Sequence, residues 1–172
     1  EMVELFGKED ESNEYFLFTN SELKTKLDIP QNFHIVKCGV KPHIIWLQVT
    51  VPILIRKYRI DVFWQPDHIL PIYGIKCRQY VTIHDLSAYK LHNIAMKRVE
   101  VVYRLFMKKT CQRATKVITI SNYTKEDILD TLNVPDEKVV VIYNGDSPYR
   151  GENVLSDEQI RTCFDKYGIH KP

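Results

Sequence analysis

The chain reads as an α/β protein built on a doubly wound parallel sheet. Three observations carry that reading. Short segments rich in β-branched and aromatic residues alternate with segments of helical periodicity along the chain, and that alternation favours a parallel sheet with helices on both faces. One segment, Tyr80-Val81-Thr82-Ile83, is apolar or β-branched at every position rather than every second one, which suits a strand covered on both sides. It breaks off within one residue into His84-Asp85, and ligands of open parallel sheets gather just beyond such carboxyl ends.

The elements follow in order. Val3, Leu5 and Phe6 suggest the last turn of a helix with Gly7 as its C-cap. After a polar loop, residues 15–19 form a strand. Asn20-Ser21 caps a short helix over 22–27, which ends by Pro30, and residues 33–38 form a second strand. Residues 43–58 read as a long apolar helix kinked at Pro52, which has no N–H to give. A third strand over 60–64 stops at Gln65-Pro66, and a proline-punctuated loop leads into the strand that ends at Ile83. A loop begins at Leu86-Ser87. A helix over 94–114 then carries Met96, Val99, Tyr103, Phe106 and Met107 at helical spacing. Residues 116–120 are the next strand, and Ser121 or Asn122 caps a helix over 124–132. A last strand covers 139–143, and Asn144-Gly145 turns the chain out of the sheet. Ser156-x-x-Gln159 has the capping-box pattern of a final helix, with Gly168 as its C-cap.

Composition narrows the function. At 172 residues the chain can bury a real core, and a net charge of only +2 gives no reason to expect nucleic acid as a partner. Cys38, Cys77, Cys111 and Cys163 are far apart, with no paired spacing and no Cys/His cluster, so neither a disulfide framework nor a metal site is indicated. Reduced thiols in a cytoplasmic protein are the default. The most apolar stretch, 44–55, contains Gln48, Thr50 and Pro52 and falls short of the ~20 residues that span a bilayer. Lys97, Arg98, Arg104, Lys108, Lys109, Arg113 and Lys116 make the helix over 94–114 basic. A solvated outer face explains this; a peripheral contact with the inner face of the cell membrane is the sharper alternative.

The chemistry-bearing residues stand at strand ends. His84 and Asp85 can serve a ligand, or can hydrogen-bond nearby backbone and open a turn. Ser121 begins a helix at a strand's carboxyl end, a natural anion site, although plain capping needs no ligand. Asp67 and His68 occupy a neighbouring tip.

Taken in order, these blocks resemble the N-terminal domain of the family 4 glycosyltransferases, which have the GT-B architecture. The blocks are Asp61-Val62-Phe63-Trp64-Gln65-Pro66, then Leu70-Pro71, then Thr82-Ile83-His84-Asp85-Leu86. The small and basic Arg113-Ala114-Thr115-Lys116 and the run from Val117 through Ser121 to Asp127 follow. Val134-Pro135-x-x-Lys138-Val139 and Ile142-Tyr143-Asn144-Gly145 complete the set. The resemblance covers 61–145. Where the family has Pro-Asn-Gly-Val, this chain has Tyr143-Asn144-Gly145-Asp146, and the family's first strand and glycine-rich loop have no counterpart here.

The resemblance implies a Rossmann-like acceptor-side domain over 1–150. Residues 151–172 would then be a linker and helix leading to a donor-binding domain beyond this chain. It implies transfer of a sugar, with retention, from a nucleotide-sugar to a glycan or lipid-linked acceptor, and no cofactor. His84 and Asp85 would be catalytic. Ser121, Asp67, His68, Asn144 and Gly145 would bind substrate, the last two at the turn into the linker. The chain alone would be inactive. Rival readings are a related nucleotide-sugar epimerase or hydrolase, and a non-catalytic glycan-binding domain.

Overall fold

The computed structural model describes residues 2–22, 29–91, 96–145 and 156–168. The chain divides into two compact units, Glu1–Ile142 and Tyr143–Pro172.

The first unit is α/β with parallel sheets, as the sequence predicts. Helix α1 (Met2–Glu9) precedes a two-stranded parallel sheet of β1 (Tyr15–Thr19) and β2 (Phe33–Lys37). A four-stranded parallel sheet follows in the order β3-β4-β5-β6, from β3 (Val62–Gln65), β4 (Arg78–Ile83), β5 (Lys116–Thr119) and β6 (Val139–Val141). Strand β4 is interior, hydrogen-bonded to β3 and β5. Its Val81 and Ile83 are fully buried, together with Val117 of β5. Burying apolar side chains of this size contributes about 1.5–3 kcal/mol each, which anchors β4 in the core. Of the short helix expected over 22–27, residues 23–27 lie outside the described residues.

Between β2 and β3 the chain forms α2 (His43–Ile45), a π-helical turn (Trp46–Thr50) and α3 (Val51–Lys57). Pro52 cannot donate to the preceding turn. The irregularity is taken up just before it, where the Val51 N–H reaches back five residues to the Trp46 carbonyl. Arg59, in the left-handed region (φ 52°), turns the chain out of α3.

The β3–β4 crossover, residues 66–77, contains no helix. It is nevertheless built into the core: Ile69, Leu70, Ile72 and Ile75 are all buried. A buried loop must satisfy its backbone polar groups, and two side chains do so. The Gln48 amide donates to the Leu70 carbonyl and accepts from the Ile72 N–H, both at 2.9 Å. The buried Thr110 hydroxyl accepts from the Leu70 N–H at 3.1 Å.

After β4 come α4 (Ser87–Lys90) and α5 (Lys97–Arg113). Helix α5 turns Met107, Thr110 and Cys111 inward, with Val99, Tyr103 and Phe106 half-buried beside them. Arg104 and Lys108 are exposed, as the periodicity predicts. Helix α6 (Asn122–Leu132) follows β5, is capped by Ser121, and ends at Asn133 in the left-handed region (φ 53°). In the second unit α7 (Asp157–Tyr167) shows both hydrogen bonds of the Ser156–Gln159 capping box and ends at Gly168 (φ 61°).

Three local expectations are corrected. Gly7 is not a C-cap but lies inside α1, at a point where a Cβ would stand 2.1 Å from Pro30 Cγ and glycine alone fits. Met96 is an exposed N-cap position, not part of the apolar face of α5. The segment after Asp85 is a helical turn, α4, with Leu86 at its N-cap; the Asp85 carboxylate accepts from the Ser87 N–H at 2.7 Å at its start.

Candidate active site at the carboxyl edge of the sheet

The pairing of Ile83 with Thr119 sets the ends of β4 and β5 side by side. His84 and Asp85 therefore leave the sheet next to Ser121. Both His84 and Asp85 are exposed. Thr124 in the first turn of α6 fastens the two tips together. Its hydroxyl donates to the His84 carbonyl at 3.2 Å, and its N–H donates to Ser121 Oγ at 3.1 Å. The Thr124 proton is thus committed, so Ser121 is the donor in the 3.0 Å contact between the two hydroxyls. Ser121 Oγ then both donates and accepts within the cap, and one lone pair remains for anything else.

His84 is oriented by the neighbouring tip. Its Nε2 lies 3.0 Å from the Pro66 carbonyl oxygen. A carbonyl can only accept, so Nε2 carries the proton, and in the neutral ring the lone pair is on Nδ1. Asp85 Oδ1 accepts from both the Ser87 N–H and the Ser87 hydroxyl. The Ser87 hydrogen bonds hold the Asp85 carboxyl below its ordinary pKa, against the opposing effect of burial. Asp85 is a carboxylate at neutral pH.

Asp67 and His68 follow Pro66 in the turn after β3, and they differ sharply. Asp67 is exposed, whereas His68 is buried with 9% of its surface accessible. The His68 backbone sits in the left-handed region (φ 45°), and its N–H donates to the Thr82 carbonyl at 3.0 Å. Its ring stands edge-on to His84, with centroids 5.5 Å apart, and 5.2 Å from the Tyr103 ring of α5. His68 Nε2 lies 3.6 Å from Asp67 Oδ1. Burial lowers the His68 pKa; Asp67 raises it, His84 lowers it and Asp85 raises it. Desolvation is the largest of these effects, so the ring is neutral at pH 7 and the Asp67 contact is not an ion pair. Burial also pushes the Tyr103 phenol up to about 12, with Asp67 and Asp85 adding to it.

Tyr103 and Asp67 also line a cleft of about 1160 Å³, together with Lys41, His43, Ile69 and Arg98 among others. His84, Asp85 and Ser121 are not among its lining residues. The His84, His68 and Tyr103 rings, in contact one with the next, connect the β4 tip to the cleft wall. The reading of the sequence missed Lys41 and His43, although both follow the carboxyl end of β2, the position that singled out His84. Arg98 was absorbed into the general basicity of its helix. Asn144 and Gly145 belong to the second unit and are exposed.

Among the described residues no group of three or more His, Cys, Asp or Glu side chains could hold a metal ion. No described helix is long and apolar enough to cross a membrane.

The chain is similar to a glycosyltransferase of Rickettsia africae, known from its crystal structure. The TM-score is 0.44 and the identity 22%, over 84% of this chain and 37% of that one. It is 31% identical over 99 residues to the O-antigen chain mannosyltransferase RfbU of Salmonella typhimurium. That stretch is 58% of this chain and 26% of the relative, so the match spans about a quarter of the relative's length. Residues 20–146 match the family model of Glycosyltransferase Family 4. That match starts well before Asp61, where the motifs begin, and takes in β2 and the Lys41–His43 side of the cleft. With well over half of its length matched in this way, the chain belongs to Glycosyltransferase Family 4.

Proposed function

We propose that this chain is the acceptor-side half of a retaining glycosyltransferase acting in the cytoplasm. The enzyme would move a sugar from a nucleotide-sugar to a saccharide or lipid-linked acceptor. The observation that carries the reading is the tip of β4. There an exposed His84, with its proton fixed on Nε2, stands beside an ionised Asp85, one ring away from the wall of a large cleft.

The chemistry follows from those states. A neutral His84 offers the Nδ1 lone pair to a sugar hydroxyl; a protonated one offers a second N–H to an anionic oxygen. Asp85 has lone pairs left after its Ser87 contacts and can accept from acceptor hydroxyls. Asp67 supplies a further carboxylate on the cleft wall, His68 supports the rim from beneath, and Ser121 fixes the adjoining helix start. Lys41 and Arg98 add positive charge to the cleft wall, which suits an acceptor that carries phosphate. The leaving diphosphate needs preorganised positive charge in a closed site, and we assign that work to a donor-binding domain outside this chain.

Helix α5 supports a peripheral membrane contact. Val101 and Leu105 are exposed at 55% and 61% on a helix that also exposes Lys97, Lys108 and Lys109. Exposed apolar residues among cations suit an anionic bilayer surface.

The test is His84→Ala in the intact enzyme. Loss of a group in acid–base contact with the reacting sugar lowers turnover by about 10²-fold or more, and exposure of His84 predicts little change in stability. Unchanged turnover would remove His84 from the chemistry. Release of free or epimerised sugar, with no glycosidic product, would replace transfer by hydrolysis or epimerisation.

A further inference from the structure

Imidazoles on exposed loops ordinarily exchange tautomers and rotamers freely, yet His84 is held from one side only. Two groups hold it, and both come from the short turn after β3. The Pro66 carbonyl takes the Nε2 proton at 3.0 Å. Two residues later the His68 ring lies edge-on against the His84 ring, at 5.5 Å and 68°.

His68 is well anchored for this. Its N–H is tied to Thr82, the residue two before His84 on β4, and its ring rests on Tyr103 of α5. The backbone adopts a left-handed conformation that points the ring inward rather than to solvent. Histidine is among the residues that tolerate that conformation.

No described group hydrogen-bonds His68 Nδ1, which is buried, and Nε2 is 3.6 Å from its nearest acid, beyond hydrogen-bond length. A buried polar atom without a partner is costly. The ring is therefore retained here for its shape and edge rather than for hydrogen bonds of its own.

We propose that His68 is a positioning residue that acts through His84. The turn after β3 grips the His84 imidazole at two points, the Pro66 carbonyl and the His68 ring, so that Nδ1 is the nitrogen presented to substrate. The inference deepens the role given to His84 above and rests on that reading for its catalytic consequence, though not for its geometry. It turns His68 from a residue on the acceptor's path into one that sets which His84 nitrogen reacts. The grip costs little flexibility elsewhere, because the hydrogen bond from the His68 N–H to the Thr82 carbonyl already fixes the turn to β4.

The experiment combines nitrogen-15 NMR of the histidine rings with steady-state transfer kinetics, both on the intact protein. The variants are His68→Ala, His68→Phe, His68→Asn and His84→Ala. In the unaltered protein His84 is expected in the Nε2–H tautomer. His68→Ala should give a mixture of tautomers and lower kcat by about tenfold or more with KM within about threefold, the pattern of a contact realised in the transition state. His68→Phe keeps a ring edge against His84 and should preserve the tautomer and most of kcat. His68→Asn tolerates the left-handed backbone but has no ring, and should behave like His68→Ala. Circular dichroism and thermal unfolding check that each variant folds; if His68→Ala does not, the Phe and Asn variants decide.

An active Asn variant beside an impaired Phe variant would mean that His68 serves only the backbone turn, and would overturn the proposal. So would an Nδ1–H tautomer in the unaltered protein, or a tautomer indifferent to every His68 substitution. Full activity of His84→Ala would defeat the catalytic reading of His84 instead, while the tautomer measurements would still decide the grip.

Discussion

Replacing Gln48 with leucine tests whether one side chain holds the buried β3–β4 loop in place. The amide makes two hydrogen bonds of 2.9 Å, to the Leu70 carbonyl and from the Ile72 N–H, and both residues are at most 4% exposed. Leucine is close to glutamine in shape but supplies neither partner. Two neutral hydrogen bonds are lost, and each stranded backbone group adds a desolvation penalty of about 1–3 kcal/mol. Gln48 is itself only half-buried, so water can relieve part of the penalty, and the expected loss is about 2–4 kcal/mol. In a chain of this length that lowers Tm by roughly 5–15 °C. Gln48→Glu is the sharper control. It can still accept from Ile72 but sets a second oxygen against the Leu70 carbonyl, so it should cost at least as much as leucine. The assay is urea unfolding at 25 °C with free energies extrapolated to zero denaturant. Because Asp67 and His68 begin the same loop, the leucine variant should also lose transfer activity in the intact enzyme. A loss below about 0.5 kcal/mol, the scale of an ordinary surface substitution, would refute the reasoning and mean that solvent serves the loop equally well.

Other expectations follow from single contacts. Asp85 is held below the ordinary aspartate pKa chiefly by Ser87. Its contribution to stability is therefore full above the ordinary carboxylate range and is lost as pH falls through the folded value. Ser87→Ala should move the Asp85 carboxyl titration upward when followed by carbon-13 NMR, and an unmoved midpoint would contradict the assignment. Gly7→Ala would raise intrinsic helix propensity by about 1 kcal/mol. It should nonetheless destabilise the chain by about 1–3 kcal/mol through overpacking, because the new Cβ meets Pro30; a stabilised variant in thermal melts would show that Pro30 moves aside. Flotation with anionic vesicles tests the face of α5: binding at low salt that weakens at high salt is expected, and no binding at low salt leaves that face simply solvated.

Much of the fold was legible because it rests on signals within a few residues. The uninterrupted apolar run of Tyr80 to Ile83 marks an interior parallel strand, and β4 is interior. Caps are equally local: Ser121 reaches Thr124, and Ser156 and Gln159 bond each other within one turn. The change from apolar run to His84-Asp85 placed a polar pair at a strand's carboxyl end, which is where the structure has it.

Contacts between residues distant in sequence decided the rest. Gly7 looked like a helix end until Pro30, more than twenty residues on, showed why a side chain is excluded within the helix. Gln48 looked like an irregularity in an apolar helix, yet it completes the backbone of a loop that starts after β3. Asp67 and His68 are neighbours in sequence, but only packing against Tyr103 and Thr82 exposes one and buries the other. Lys41 and Arg98 share a cleft although more than fifty residues separate them. Periodicity and capping report interactions within one or two turns of chain, whereas the partner of a buried polar group or the opposite wall of a cleft is set by how the elements pack, and that information is spread over the whole sequence.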